Sequence, residues 1–210
     1  MKRLVAYVST VTLISLTLGL FCGAALAHTL ILKVDTKAST ITATVDKPLA
    51  RMTGNVSVKF DITHGEVRGD PVSPAASGHV NIVIDATSID SGSDHLDRKL
   101  MHSSLQTYDY QAITFDSTGI KDAEIESAGA VGKAIVVGNL TLHGTTRQIS
   151  MPVSVSLSPQ GVFYADGSTR FNYTEFGVKV PSFMGIPEAA KVVTIEFHVV
   201  ARPLAPAHTN

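Results

Sequence analysis

The sequence predicts an antiparallel all-β fold, a sandwich or a barrel. Three observations predict it: apolar and polar residues alternate with period two, turn residues punctuate the runs, and only one stretch has helical spacing. Leu30–Asp35 and Ser39–Val45 are the first short strand candidates. Val56, Val58, Phe60 and Ile62 alternate with Ser57, Lys59 and Asp61, and a turn at Thr63-His64-Gly65 leads to Glu66–Gly69. Val80, Ile82 and Ile84 share one face, and Asp70-Pro71 marks the preceding turn. Asp94–Leu105 is the helix. Ser93 is a suitable N-cap, Asp94 and Asp97 fall in the first turn, and Leu96 and Leu100 share a face.

Ile113–Ser117 and Ala134–Leu142 follow, separated by Ala128-Gly129. After the His143-Gly144 turn, Ile149, Met151, Val153, Val155 and Leu157 alternate with polar residues and with Pro152. Proline has no N–H, so this strand lies at an edge or carries a local irregularity. Pro159-Gln160-Gly161 turns the chain into Phe163–Tyr173, within which Asp166-Gly167 reads as a further turn. Val193, Ile195, Phe197 and Val199 close the series, with Glu196 and His198 on the opposite face. No linker or repeat interrupts the run, and one barrel or sandwich domain over residues 28–210 is expected.

Residues 1–27 read differently. Lys2 and Arg3 precede an uncharged stretch from Leu4 to Ala27 that ends in Ala25-Leu26-Ala27, the pattern of a secretory signal peptide. The stretch is also long enough to span a bilayer uncleaved, but Ser9, Thr10, Thr12, Ser15 and Thr17 dilute it. Cys22 hints at lipid attachment, though bulky Phe21 before it suits that processing poorly. Cleavage after Ala27 removes the only cysteine. The exported chain then holds no disulfide, no thiolate metal site and no cysteine nucleophile, which fits a bacterial periplasm.

Composition excludes several functions. With 44% apolar residues in 210, wholesale disorder is excluded. With 17 Lys+Arg against 18 Asp+Glu there is no basic surplus for phosphates, so no nucleic-acid partner is expected. No Gly-x-Ser-x-Gly elbow or phosphate loop occurs; Gly129–Ala134 is too short for one and lacks the hydroxyl residue. The histidines show no metal-ligating spacing, so neither metal nor cofactor is expected. Asp85, Asp90, Asp94 and Asp97 cluster without the pattern of a calcium loop and read as turn and cap residues. The sequons at Asn55, Asn139 and Asn172 read as chance occurrences in a Ser/Thr-rich chain.

Several segments together resemble the YceI-like family. Ser88-Ile89-Asp90-Ser91-Gly92, then Asp97 and Leu100, then Tyr110–Phe115 resemble its middle. Gly138–Thr146 is the most specific match, and Asn172–Val178 is similar to its late Phe-Gly element. The likeness covers roughly residues 30–202. Ala38, Leu96, Gln111 and Tyr173 depart from it, standing where the family's motifs carry His, Arg, Pro and Arg.

The resemblance implies an eight-stranded, lipocalin-like antiparallel barrel with one short helix between strands. It also implies a periplasmic or secreted protein and a long apolar ligand: a polyisoprenoid, an isoprenoid quinone or a fatty-acid amide. It brings no catalytic residues. Candidate ligand contacts are Ile41, Val58, Phe60, Ile82, Ile84, Leu100, Phe115, Leu140, Leu142, Met151, Val153, Phe171, Phe176, Phe183, Met184, Ile195 and Phe197. A barrel of eight strands either fills with side chains or holds one ligand.

The expected partners are a polyisoprenoid or other long-chain lipid and, transiently, a membrane, with the protein a monomer or homodimer. The segment Phe176–Pro187 reads as a loop tucked over the core or as an apolar lid. His143 either ties a strand end or reaches a ligand headgroup. Two other readings stand beside a non-catalytic lipid carrier. One is an enzyme using His79, His198 or Glu196 on a bound hydrophobic substrate, although strand parity puts His198 and Glu196 outside. The other is a filled barrel mediating protein interactions.

Overall fold

The computed structural model describes residues 29–46, 55–70, 74–124, 132–183, 186–187 and 189–203. The expected signal peptide and the Ala128-Gly129 turn lie outside them. The strands are β1 (Leu30–Val34), β2 (Thr40–Asp46), β3 (Asn55–Phe60), β4 (Ile62–Gly69), β5 (His79–Asp85), β6 (Ala112–Glu124), β7 (Gly132–Leu142), β8 (Thr145–Leu157) and β9 (Phe163–Asn172), then a small hairpin of β10 (Ser182–Phe183) and β11 (Ile186–Pro187), and finally β12 (Val192–Pro203). Neighbours pair in the order β1-β4-β5-β6-β7-β8-β9-β12, and β12 pairs back onto β1. Eight antiparallel strands therefore close a barrel, as the resemblance implies. Closure leaves few free backbone edges, which is how all-β proteins protect unpaired N–H and C=O groups.

Two of the eight staves are made of two pieces. β1 and β2 lie end to end against β12, which pairs through Val34↔Ala201 with the first and through Thr40↔His198 with the second. The turn between them is held by Asp35, whose Oδ1 accepts the N–H groups of Lys37 and Ala38 and whose Oδ2 accepts Arg202 Nε at 2.9 Å. Arg202 and these amides hold the Asp35 carboxyl below the usual carboxylate range. Where the turn interrupts the ladder, Ser39 Oγ accepts the N–H of Val200 (2.9 Å) and donates to its C=O (3.4 Å). Both residues are buried. Ser39→Ala leaves that amide without a partner, and an orphaned buried donor costs about 1–3 kcal/mol. A lowered midpoint in urea with an unchanged slope is the expected result.

β3 runs on into β4 through Ile62 with only a register shift between Ile62 and His64, so the expected Thr63–Gly65 turn is absent. Gly65 is there for space: a Cβ would lie 2.5 Å from Val34 Cγ2. Asp166-Gly167 is likewise no turn. Gly167 sits inside β9 opposite Phe197, whose ring Cζ would be 2.4 Å from a Cβ there.

Pro152 marks an irregularity and not an edge. β8 is paired with β7 along its length, but its ladder with β9 stops at Val153↔Gly167. Beyond that point the two strands are bridged by Thr169 Oγ1 donating to Ser150 O and by Arg147 Nε donating to Glu175 O. β6 runs seven residues past the expected Ser117 end, to Glu124, with register shifts at Ser117/Gly119 and Lys121/Glu124 that break the alternation.

A one-turn helix, α1 (Pro74–Ser77), was not expected. The expected helix is present but changes its winding. It begins as α2 (Asp94–Lys99) and continues over Leu100–Leu105 as a wider π-type turn, ending at Gln106 in a left-handed conformation. Ser93 makes no side-chain cap; instead the Asp97 carboxylate accepts the Ser91 N–H at 2.9 Å. This segment joins β5 to β6, and residues 173–191 join β9 to β12, so both cross the same end of the barrel.

Candidate functional site

The barrel is hollow. Its interior is a cavity of about 1290 Å³ lined mainly by Val, Leu, Ile, Phe and Ala from every strand of the ring. Two apolar clusters form its walls. One gathers Phe115, Val136, Leu140 and Val153 on β6–β8 with Val193; the other gathers Leu32, Ile41, Ile62, Ile82 and Val199. Alternation builds this lining directly, since each strand turns every second side chain inward.

Of the residues expected to contact ligand, all line the cavity except Phe176, Phe183 and Met184. Phe176 is a correction. It is 1% exposed and supports the wall from behind, its ring centroid 5.3 Å from that of Phe171. The 3-10 turn Tyr173–Phe176 folds it back into the core, followed by buried Val178. The first part of the segment 176–187 is therefore tucked over the core. Phe183 is placed by its backbone only, paired to Ile186 in the hairpin, and Met184 lies outside the described residues. Leu96 and Leu100 of the helical segment face the cavity, as their shared face predicts.

The two ends of the cavity carry its polar residues. Arg68, Asp70 and His79 stand at the end where β4 finishes and β5 starts. Arg68 is bonded to Glu66, and His79 Nε2 lies 3.3 Å from Asp116 Oδ1. Ser93, His95, Lys99 and Lys179 line the other end, under the helical segment and the 173–191 strap. Of the residues weighed for catalysis, His198 is outside the barrel with Nδ1 2.6 Å from Asp166 Oδ1, Glu196 is exposed, and His79 is at the rim. Among the described residues no three His, Cys, Asp or Glu side chains gather as a metal site.

The strapped end is pinned by His143. Its Nε2 is 2.8 Å from Gln106 Oε1, and its ring lies 4.2 Å from that of Tyr110, so the β7–β8 turn is tied to the helical segment. That is the tying role open to it from sequence. Asn172 caps the neighbouring turn: its Oδ1 accepts Thr174 N–H at 3.1 Å and Thr174 Oγ1 at 2.7 Å. The sequon at Asn172 is thus a structural cap.

Two lining residues escaped sequence reasoning. Tyr173 and Ser104 are 7% and 3% exposed, both face the cavity, and the Tyr173 OH and Ser104 Oγ have no hydrogen-bond partner. Burial pushes the Tyr173 phenol above its ordinary pKa, so it keeps its proton. Parity from Phe171 signals the inward direction of Tyr173. Ser104 carries no such signal, because the π-type winding obeys neither period.

Comparison with known proteins places this architecture. A match to the YceI-like domain covers residues 32–201. A UPF0312 protein of Vibrio cholerae is 33% identical over 147 residues, 67% of this chain and 69% of that protein. A UPF0312 protein of Shewanella baltica strain OS185 is 28% identical over 128 residues, 58% of this chain, and the match spans 63% of that relative's length. Among solved structures, Burkholderia cenocepacia BcnA superposes with a TM-score of 0.65 at 23% identity, covering 80% of this chain and 98% of that one. A polyisoprenoid binding domain from Saccharophagus degradans, implicated in plant cell wall breakdown, gives 0.62 at 13% identity, covering 83% and 99%. These two likenesses carry the fold. Because the matched segment runs from within β1 to within β12, and so takes in both straps and the strands that close the ring, the chain belongs to the YceI-like family.

Proposed function

We propose that this protein is a non-catalytic carrier or sequestering protein for a long apolar lipid, of the class of polyisoprenoids, isoprenoid quinones or fatty-acid amides. It works in the bacterial envelope, with residues 1–27 as a cleaved export signal to the periplasm. The observation that carries the reading is the size and chemistry of the cavity. At about 1290 Å³ it exceeds the ~300–1,000 Å³ of ordinary small-molecule sites, and its lining is hydrocarbon with polar groups at the two ends.

Such a site fits a chain better than a compact molecule. Burial of a methylene is worth about 0.8 kcal/mol. A ligand of a dozen or more carbons therefore reaches roughly micromolar affinity after ordering and association costs. Directional bonds are needed only to orient it. The name borne by the Saccharophagus structure supports the same ligand class.

Native mass spectrometry of gently purified protein, followed by organic extraction, tests this. A co-purified intact lipid is the expected result. A bare chain that takes up no lipid from vesicles overturns the proposal, and chemical turnover of the lipid replaces it with an enzyme.

A further inference from the structure

Polar groups buried in hydrocarbon are almost always bonded, because an unmade bond there carries the full desolvation penalty. Ser104 Oγ and Tyr173 OH break this rule, and they break it at one end of one cavity. The elements that carry them are stitched together: the Lys179 N–H donates to Ser104 O at 3.4 Å, and Tyr173 N–H donates to Lys191 O at 3.1 Å. Neither hydroxyl is slack. Tyr173 is fixed by the Asn172 cap beneath it, and Ser104 by the π-type turn that ends at Gln106, itself bonded to His143. The opposite end of the cavity offers Arg68, Asp70 and His79 at its rim, with no orphaned buried atom among the described residues.

We infer that the Ser104 and Tyr173 hydroxyls are the polar anchor for an uncharged oxygen of the bound lipid, a carbonyl or hydroxyl, which seats its polar end beneath the helical segment. The inference rests on the reading of the cavity as a lipid site and adds polarity and orientation to it. A phenol and a serine hydroxyl both donate, and the serine also accepts, so the pair serves a ketone, an amide or an alcohol. Neither carries charge. The nearest cation, Lys179, is exposed, so an anionic headgroup would stay at the rim.

Delipidated protein is titrated with three probes: a twenty-carbon isoprenoid alcohol, the hydrocarbon lacking its hydroxyl, and the alcohol's monophosphate. Wild type is expected to bind the alcohol about tenfold more tightly than the hydrocarbon, the scale of one net buried hydrogen bond. Tyr173→Phe and Ser104→Ala each erase much of that preference, leave hydrocarbon affinity unchanged, and do not lower the melting temperature of the empty protein. A preference that survives both substitutions overturns the anchor. So does tightest binding of the monophosphate in wild type and both variants, which puts the headgroup on the rim cations. A lowered melting temperature with the preference intact also overturns it, by giving the hydroxyls a role within the fold. Binding of the hydrocarbon in any of these cases leaves the lipid-site reading standing. Failure of every probe to bind wild type removes both.

Discussion

Ala43→Trp is expected to fold and to bind a long isoprenoid roughly a hundredfold more weakly than wild type. Ala43 lies on β2 between Val58 of β3 and Ile195 of β12, and all three face the cavity. An indole there projects into open space and not into a packed wall, so it escapes most of the strain that overpacking normally brings. It takes the room of about four methylenes, worth ~0.8 kcal/mol each, or about 3 kcal/mol in all. The diagnostic feature is length. Ligands short enough to lie on one side of residue 43 keep their affinity, and longer ones lose it. Calorimetric titration with a series of isoprenoid alcohols, beside a melting curve, makes the measurement. Equal affinities for wild type and variant at every length would show that the chain does not thread the barrel.

Gly167→Ala acts on the wall itself and is expected to lower the melting temperature by roughly 5 °C, from about 1–3 kcal/mol of overpacking at some 2–4 °C per kcal/mol. The added methyl meets Phe197 Cζ at 2.4 Å and the Pro152 carbonyl oxygen at 2.8 Å. The ring can swing into the cavity, but the carbonyl belongs to β8 at the point where its ladder with β9 stops, and it can move only by parting the strands. Gly119 is the control. A Cβ there meets nothing within 4 Å, so Gly119→Ala should be neutral or slightly stabilising. Scanning calorimetry of both proteins decides the matter, and equal melting temperatures would mean that the close approach at Gly167 is not tight in solution.

These two glycine readings show where sequence reasoning succeeds and where it runs out. The walls were legible because Ile149–Leu157 and Val193–Val199 carry an unbroken alternation, and alternation is the geometry of a half-buried strand. Gly167 and Gly65 were read as turns because a glycine signals both a tight bend and the close passage of a neighbour, and only the neighbour's position separates the two. The far half of β6 was hidden by its register shifts, which move successive residues out of phase. Phe176 was assigned inward because it follows the strand parity of Phe171, but the 3-10 turn after Asn172 ends that parity. The lining was thus readable residue by residue, whereas the two hydroxyls at its strapped end depend on a change of winding and on a cap.

The two-piece staves have a kinetic consequence. The ring shuts only where β12 meets β1 and β2, through contacts such as Ser39 with Val200 and Asp35 with Arg202, which lie 161 and 167 residues apart in the chain. Pairings of such separation are the slowest to form, because the entropy of closing the loop is spent before the contacts repay it. Refolding should therefore end in a slow phase that acquires the Ser39 bonds, preceded by an open, curled sheet whose oily inner surface is still wet. A lipid present during that phase meets the binding surface before the wall is complete, so loading and the last step of folding are coupled in time.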